Sequence, residues 1–68
     1  MDIKFKDSEL RFLELICTDI TYKEIASKMF LSIRTIEGYR RRMYIKCNAK
    51  SRIGLVLFAV RNGLAKIS

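Results

Sequence analysis

Three times in this 68-residue chain a hydroxyl side chain stands directly before an apolar pattern of helical period: Thr21 before YKEIASKMF, Ser32 before IRTIEGYRRRMYIKC and Ser51 before RIGLVLFAVRN. Such a side chain accepts from the backbone N–H groups that the first helical turn leaves unpaired, so each marks a helix start. Glu24, three positions after Thr21, completes a capping box there. A further start lies at Asp7 and Ser8, where acids precede Phe12, Leu13 and Ile16 on one side. Proline is absent, and Gly63 follows the last pattern as a C-terminal stop. The spacing predicts an all-α chain: a compact four-helix domain with helices over about residues 7–17, 22–29, 33–47 and 51–62. The length leaves room for one modest core, so residues 1–68 are expected to form a single domain.

The apolar positions divide each helix into faces. In the short second helix Ile25, Ala26 and Met29 point inward, with the small Ala26 allowing a close helix crossing. In the third, Ile36, Met43 and Cys47 fall within about 20° of one line, flanked by Ile33 and Tyr39. Arg34, Gly38, Arg41 and Ile45 lie on the opposite side, with Glu37 at its border. Arg40 lands near the buried stripe, where its methylenes can follow the core while the guanidinium reaches outward. The consecutive arginines at 40–42 do not share one face and are not expected to share one role. The last helix is apolar nearly all round. Ile53, Val56, Leu57 and Val60 follow helical spacing, but so do Leu55, Val56, Ala59 and Val60, and periodicity leaves open which set faces inward. A surface helix of a small monomer carries a polar face, so something is expected to cover the second side.

Charge is distributed unevenly. The net charge is +7, yet up to Ile33 five basic residues (Lys4, Lys6, Arg11, Lys23, Lys28) meet six acids (Asp2, Asp7, Glu9, Glu14, Asp19, Glu24). From Arg34 onward nine basic residues meet only Glu37. A local basic surface is the electrostatic footprint of nucleic acid. Other chemistries lack their residues. With no histidine and only Cys17 and Cys47 as thiols, a tetrahedral zinc site has too few ligands, and both cysteines read as small hydrophobes with reduced thiols. There is no glycine-rich phosphate loop and no pair of acids set apart from helix surfaces, so neither an enzyme nor a cofactor or metal is expected. The longest apolar run, GLVLFAV at 54–60, is too short to cross a bilayer, and MDIKFKDSE lacks a signal-peptide core. The expectation is a cytoplasmic protein with no membrane partner.

A short helix joined by a tight turn to a longer basic one is the helix-turn-helix layout, in which the second helix enters the DNA major groove and the first crosses the backbone. This accounts for RTIEGYRRR at 34–42, where arginines surround a glycine that costs about 1 kcal/mol in a helix interior relative to alanine. Lacking a Cβ, Gly38 lets the helix backbone approach base edges, and Arg41 on the same face can reach a guanine with both arms of its fork. Glu37 carries the wrong sign for phosphate; it either accepts from a cytosine amino group or suppresses nonspecific binding. The function expected is sequence-specific binding of double-stranded DNA through recognition helix 33–47. One alternative is a small basic helical adaptor for an acidic protein, which steeply salt-dependent, sequence-selective duplex binding would separate. Another is the promoter-reading region of a sigma factor, which is not expected to carry the apolar fourth helix.

The stretch YKEIASKMFLSIRTIEGYRRRMYIKCNAKSR, followed by GLVLFAVRNGL, resembles the LuxR/FixJ (GerE-type) DNA-binding domain of bacterial transcription regulators, usually the C-terminal output module of a response regulator. The carrying residues are Glu9, the KEIA at 23–26, the turn from Ser32 to Thr35, Ile36, Lys46, the KSR at 50–52 and the NGL ending, and the likeness runs from Phe5 to Leu64. The family pattern usually has threonine at the position of Lys6, histidine at Tyr39, leucine at Cys47 and glycine at Asn48, departures that bear on packing and turns. The resemblance implies base contacts from Glu37, Gly38 and Arg41, and phosphate contacts from Lys23, Ser32, Arg34, Thr35, Arg42 and Lys50. Glu9 and Glu24 are expected to hold helices together rather than touch a ligand. The resemblance also favours Leu55, Val56, Ala59 and Val60 as the inward set of the last helix. Leu57 and Phe58, beside Gly54 and Arg61, then form an outward patch through which two copies pair as a homodimer on DNA, their recognition helices about one DNA turn apart. RNA polymerase is a further candidate partner.

Overall fold

The computed structural model describes residues 4–66, so the first three and last two residues of the single domain expected over 1–68 lie outside the described residues. Helices follow one another as α1 (Asp7–Ile16), α2 (Tyr22–Met29), α3 (Ile33–Lys46) and α4 (Arg52–Arg61), with no strand among the described residues. The expected bounds hold for α2. The other helices are shorter by a residue at one or both ends, because Cys17, Cys47, Ser51 and Asn62 are caps, with backbone angles outside the helical region.

Each hydroxyl signal acts as a cap. Thr21 Oγ1 accepts from the Glu24 N–H at 3.1 Å while the Glu24 carboxylate accepts from the Thr21 N–H at 3.1 Å. Ser32 accepts from Thr35 N–H and Ser51 from Gly54 N–H, each at 3.1 Å. At α1 the capping residue is Lys6, whose side chain has no accepting oxygen. Only the return half of the box forms there, with Glu9 Oε1 accepting from the Lys6 N–H at 2.9 Å.

Three helices end alike. Phe30, Asn48 and Gly63 take left-handed backbones, with φ of 58°, 51° and 67°. The N–H of the following residue then donates to a carbonyl one turn back: Leu31 to Ala26, Ala49 to Tyr44 and Leu64 to Ala59. Glycine suits this geometry, and asparagine tolerates it, so Asn48 takes it at little cost. Phenylalanine does not suit it, and the Phe30 side chain is 94% exposed, so no packing explains its presence. The end of α1 is closed from elsewhere in the chain: Arg52 of α4 donates to the Ile16 carbonyl at 3.2 Å and to the Thr18 carbonyl at 2.7 Å.

Phe12, Leu13 and Ile16 of α1, Ile25 of α2, Ile36 and Met43 of α3 and Leu55 of α4 are fully buried, and the smaller Cys17, Ala26, Cys47 and Ala59 fill between them. The side of α4 that periodicity left open is therefore settled by packing on α1. Leu55 and Ala59 are inside and Ile53 is 71% exposed, although Val60, expected inward, lies at the rim with 38% exposure. Among the described residues, every buried side-chain nitrogen and oxygen has a hydrogen-bond partner.

Candidate nucleic-acid interface

What α3 presents to solvent depends on how it is rolled about its axis, and contacts at three levels set that roll. Lys46 Nζ donates to Glu9 Oε1 at 2.7 Å and to the Lys4 carbonyl at 3.1 Å. The Tyr39 ring stacks on Phe12 with centroids 5.6 Å apart, and the Arg40 guanidinium lies 5.2 Å over the Tyr22 ring, which Arg52 also covers at 5.2 Å. Arg42 sits 4.7 Å over Tyr39 with its Nε 4.0 Å from Glu9 Oε2. Burial by itself raises the pKa of Glu9, but the hydrogen bonds from Lys46 and from the Lys6 backbone outweigh it and hold the carboxyl below its ordinary value. The three consecutive arginines thus divide: Arg40 and Arg42 lie over aromatic rings, and Arg41 is left exposed.

With α3 so rolled, Arg34, Glu37, Gly38 and Arg41 face outward and, together with Arg40, line an open depression of about 310 Å³. Gly38 is helical, and a Cβ built on it would meet only Arg42 Nη1, at an ordinary 3.7 Å. Nothing in the fold calls for glycine at this position.

The remaining expected DNA contacts lie around that depression rather than in it. Lys23 is exposed in the first turn of α2, and Lys50 is exposed in the turn after α3. The Ser32 and Thr35 hydroxyls share a hydrogen bond of 2.9 Å in addition to the cap, so both are exposed but engaged with each other. Arg42 keeps 54% of its side chain exposed despite its place over Tyr39. Lys50 also lines a second groove, of about 530 Å³, with Gly54, Leu57, Phe58 and Arg61, the residues expected to face a second copy. Two of these differ from expectation. Phe58 is half-buried because its ring packs edge-on against Phe5, centroids 6.3 Å apart, so Leu57 and Ile53 carry most of the apolar exposure of α4. A Cβ on Gly54 would stand 3.2 Å from Ala49 Cβ, so that glycine makes room for the turn within the chain. Residue spacing carried no sign of the Arg52 cap or the Tyr22 platform, since each depends on helices distant in sequence.

Comparison with known proteins places this geometry among relatives. Residues 7–59 match the family of bacterial regulatory proteins described as the luxR family. BvgA of Bordetella pertussis, a putative positive transcription regulator of virulence factors, is 42% identical over 84% of this chain and 27% of its own length. YxjL of Bacillus subtilis, an uncharacterized transcriptional regulatory protein, is 36% identical over 91% of this chain and 28% of its own. Among solved structures, the Vibrio cholerae VqmA dimer, a LuxR-type receptor in the absence of its target DNA, superposes with a TM-score of 0.87 at 28% identity, over 97% of this chain and 31% of that one. The chain spans less than a third of the length of each of these relatives.

Proposed function

The chain belongs to the LuxR family of bacterial regulatory proteins, which are DNA-binding regulators of transcription, and we propose that it binds double-stranded DNA sequence-specifically with α3 in the major groove. Glu37, Gly38 and Arg41 read base edges, Arg41 by a two-armed contact to guanine. Lys23, Ser32, Arg34, Thr35, Arg42 and Lys50 hold phosphates on either side and set the register. All of these residues are exposed except the half-buried Gly38.

Gly38 is the observation that carries this reading. Alanine there would fit the fold and favour the helix by about 1 kcal/mol, so the glycine answers to something outside the chain. A basic helix face with a bare backbone at its centre fits the floor of a groove lined by phosphates. Two copies pair on DNA through α4 around Leu57, and the chain acts in the cytoplasm as the output domain of a response regulator whose DNA complex is offered to RNA polymerase. Its role is that of a regulator, not a catalyst.

Selection of bound duplexes from a random pool tests the reading. The selected duplex should bind at least about 10³-fold tighter than a scrambled one, and affinity should fall linearly in log–log form as salt rises from about 50 to 200 mM. Equal affinity for selected and scrambled duplexes would sink it.

A further inference from the structure

Arg40, Arg42 and Arg52 all lie over tyrosine rings, and they differ in what else they hold. Arg42 stands over Tyr39 with a Glu9 oxygen 4.0 Å from its Nε. Arg52 stands over Tyr22 and donates to the Ile16 and Thr18 carbonyls. Arg40 has the Tyr22 ring alone, at 5.2 Å. Among the described residues it forms no ion pair, and Glu37, one turn earlier on α3, does not reach it. A ring engages the cation through its π face and uses none of the N–H donors, so those of Arg40 stay free. Arg40 also lines the depression on α3, and the ring that holds it belongs to the first residue of α2, next in the chain to the exposed Lys23. It lies about 100° round α3 from Arg41, off the outward line of Arg34, Gly38 and Arg41. Arg40 and Arg52 share one ring with no ion-paired acid at either, so the seam between α2 and α3 carries positive charge that an anion would offset.

We propose that Arg40 is a further phosphate-contacting residue and that Tyr22 positions it, the platform coming from α2 and the cation from α3. This rests on the reading of α3 as the recognition helix. With the line through Gly38 and Arg41 turned to base edges, the flank of α3 faces the sugar–phosphate backbone that walls the groove. A phosphate there meets a guanidinium with free donors. An arginine gives up rotamer freedom when it binds, but the ring has already restricted Arg40, so less is lost when the phosphate arrives.

Methylphosphonate duplexes test the contact, because each removes the charge of one phosphate and leaves every base in place. The selected duplex is titrated with each backbone position neutralised in turn, using the parent chain, Arg40→Met and Arg40→Lys. At one position per half-site the parent should lose about tenfold in affinity, the order of one charge-assisted hydrogen bond, and Arg40→Met should lose nothing there. On unmodified DNA Arg40→Met should lose about tenfold on selected and scrambled duplexes alike, with the salt slope lower by about 0.9. Arg40→Lys should keep the slope and the response to the neutralised phosphate. Tyr22→Leu should lose about threefold with the slope unchanged, and adding it to Arg40→Met should cost nothing more, whereas a merely structural Tyr22 would weaken both backgrounds equally. Each variant is measured below its own melting transition, with Arg40→Gln as a second neutral variant. Arg40→Met that keeps the parent's slope and its response at every phosphate, or that relaxes specificity at one base pair, overturns the contact while leaving DNA binding in place. Equal losses from Tyr22→Leu in both backgrounds overturn the platform. A pool that yields no preferred duplex overturns the recognition-helix reading and the contact with it.

Discussion

Lys46 of α3 donates to Glu9 of α1 at 2.7 Å, joining residues 37 positions apart at a carboxylate only 2% exposed. The second Glu9 oxygen lies 4.0 Å from Arg42. One buried acid therefore ties α1 to two points a turn apart on the helix that carries the candidate base-reading face.

Glu9→Gln is expected to destabilise the fold at neutral pH by about 1–3 kcal/mol, the usual range for a hydrogen bond to a charged group. Burial pushes the Glu9 carboxyl up, but Lys46 and the Lys6 N–H bring it below its ordinary value. Its contribution is thus complete above the unfolded carboxylate pKa of about 4.3 and lost as pH falls through the lower folded value. Melts of parent and variant should differ most near neutrality and converge in acid. Glu24 is lowered as well, by the Thr21 N–H and hydroxyl, but it is common to both proteins and cancels. A gap that stays constant into strong acid would deny Glu9 this role.

Arg52 closes the end of α1 by donating to the Ile16 and Thr18 carbonyls. Arg52→Lys keeps the charge but loses the planar fork, and should cost about 1–2 kcal/mol by urea titration, with Arg52→Ala costing about 2–3. Duplex affinity measured where each variant remains folded should match the parent. A lysine variant as stable as the parent would show that charge alone suffices.

Phe30 is expected to be a site where glycine stabilises. Its φ of 58° and 94% exposure set a backbone penalty against almost no packing. Left-handed backbone costs about 1–2 kcal/mol for an L side chain, and glycine's extra unfolded freedom removes part of the gain, so Phe30→Gly should add about 0.5–1 kcal/mol. A lower denaturation midpoint would show that the ring makes contacts in solution.

Pairing through α4 is better probed at Leu57 than at Phe58. Leu57 is 45% exposed, whereas Phe58 packs on Phe5. Leu57→Glu should leave stability within about 0.5 kcal/mol yet abolish cooperative footprints over two half-sites while single half-sites are still bound. Phe58→Glu should lower the melting temperature in addition. Unchanged cooperativity in Leu57→Glu would move the pairing surface away from this face.

Arg41→Ala should cost about 1–3 kcal/mol on the preferred duplex and relax specificity at one base pair, whereas Lys50→Ala should weaken all duplexes alike and reduce the salt slope by about 1. Equal losses for Arg41→Ala on preferred and scrambled DNA would remove it from the base-reading set.

Much of this architecture was legible because its signals act locally. Thr21, Ser32 and Ser51 each bond to an N–H three residues on, and Gly63 stops α4 through its own backbone freedom, so signal and partner lie in one short window. The outward set Arg34, Gly38 and Arg41 follows from helical phase once Ile36 and Met43 are taken as inward. Phase could not choose between the two apolar sets of α4, and it was blind to Phe5 drawing Phe58 partly under cover.

The sequence by itself determined the four helices to within a residue at their ends and which side of α3 carries charge, since those depend mainly on hydrogen bonds and side-chain directions within a few residues. Only the tertiary structure decided that Lys46 meets Glu9, that Arg52 closes α1, that Arg40 turns to Tyr22 and that Leu55 and Ala59 are the inward residues of α4. Those partners come within range only after the helices cross, and the crossings are set by how side chains from all four fill one shared volume.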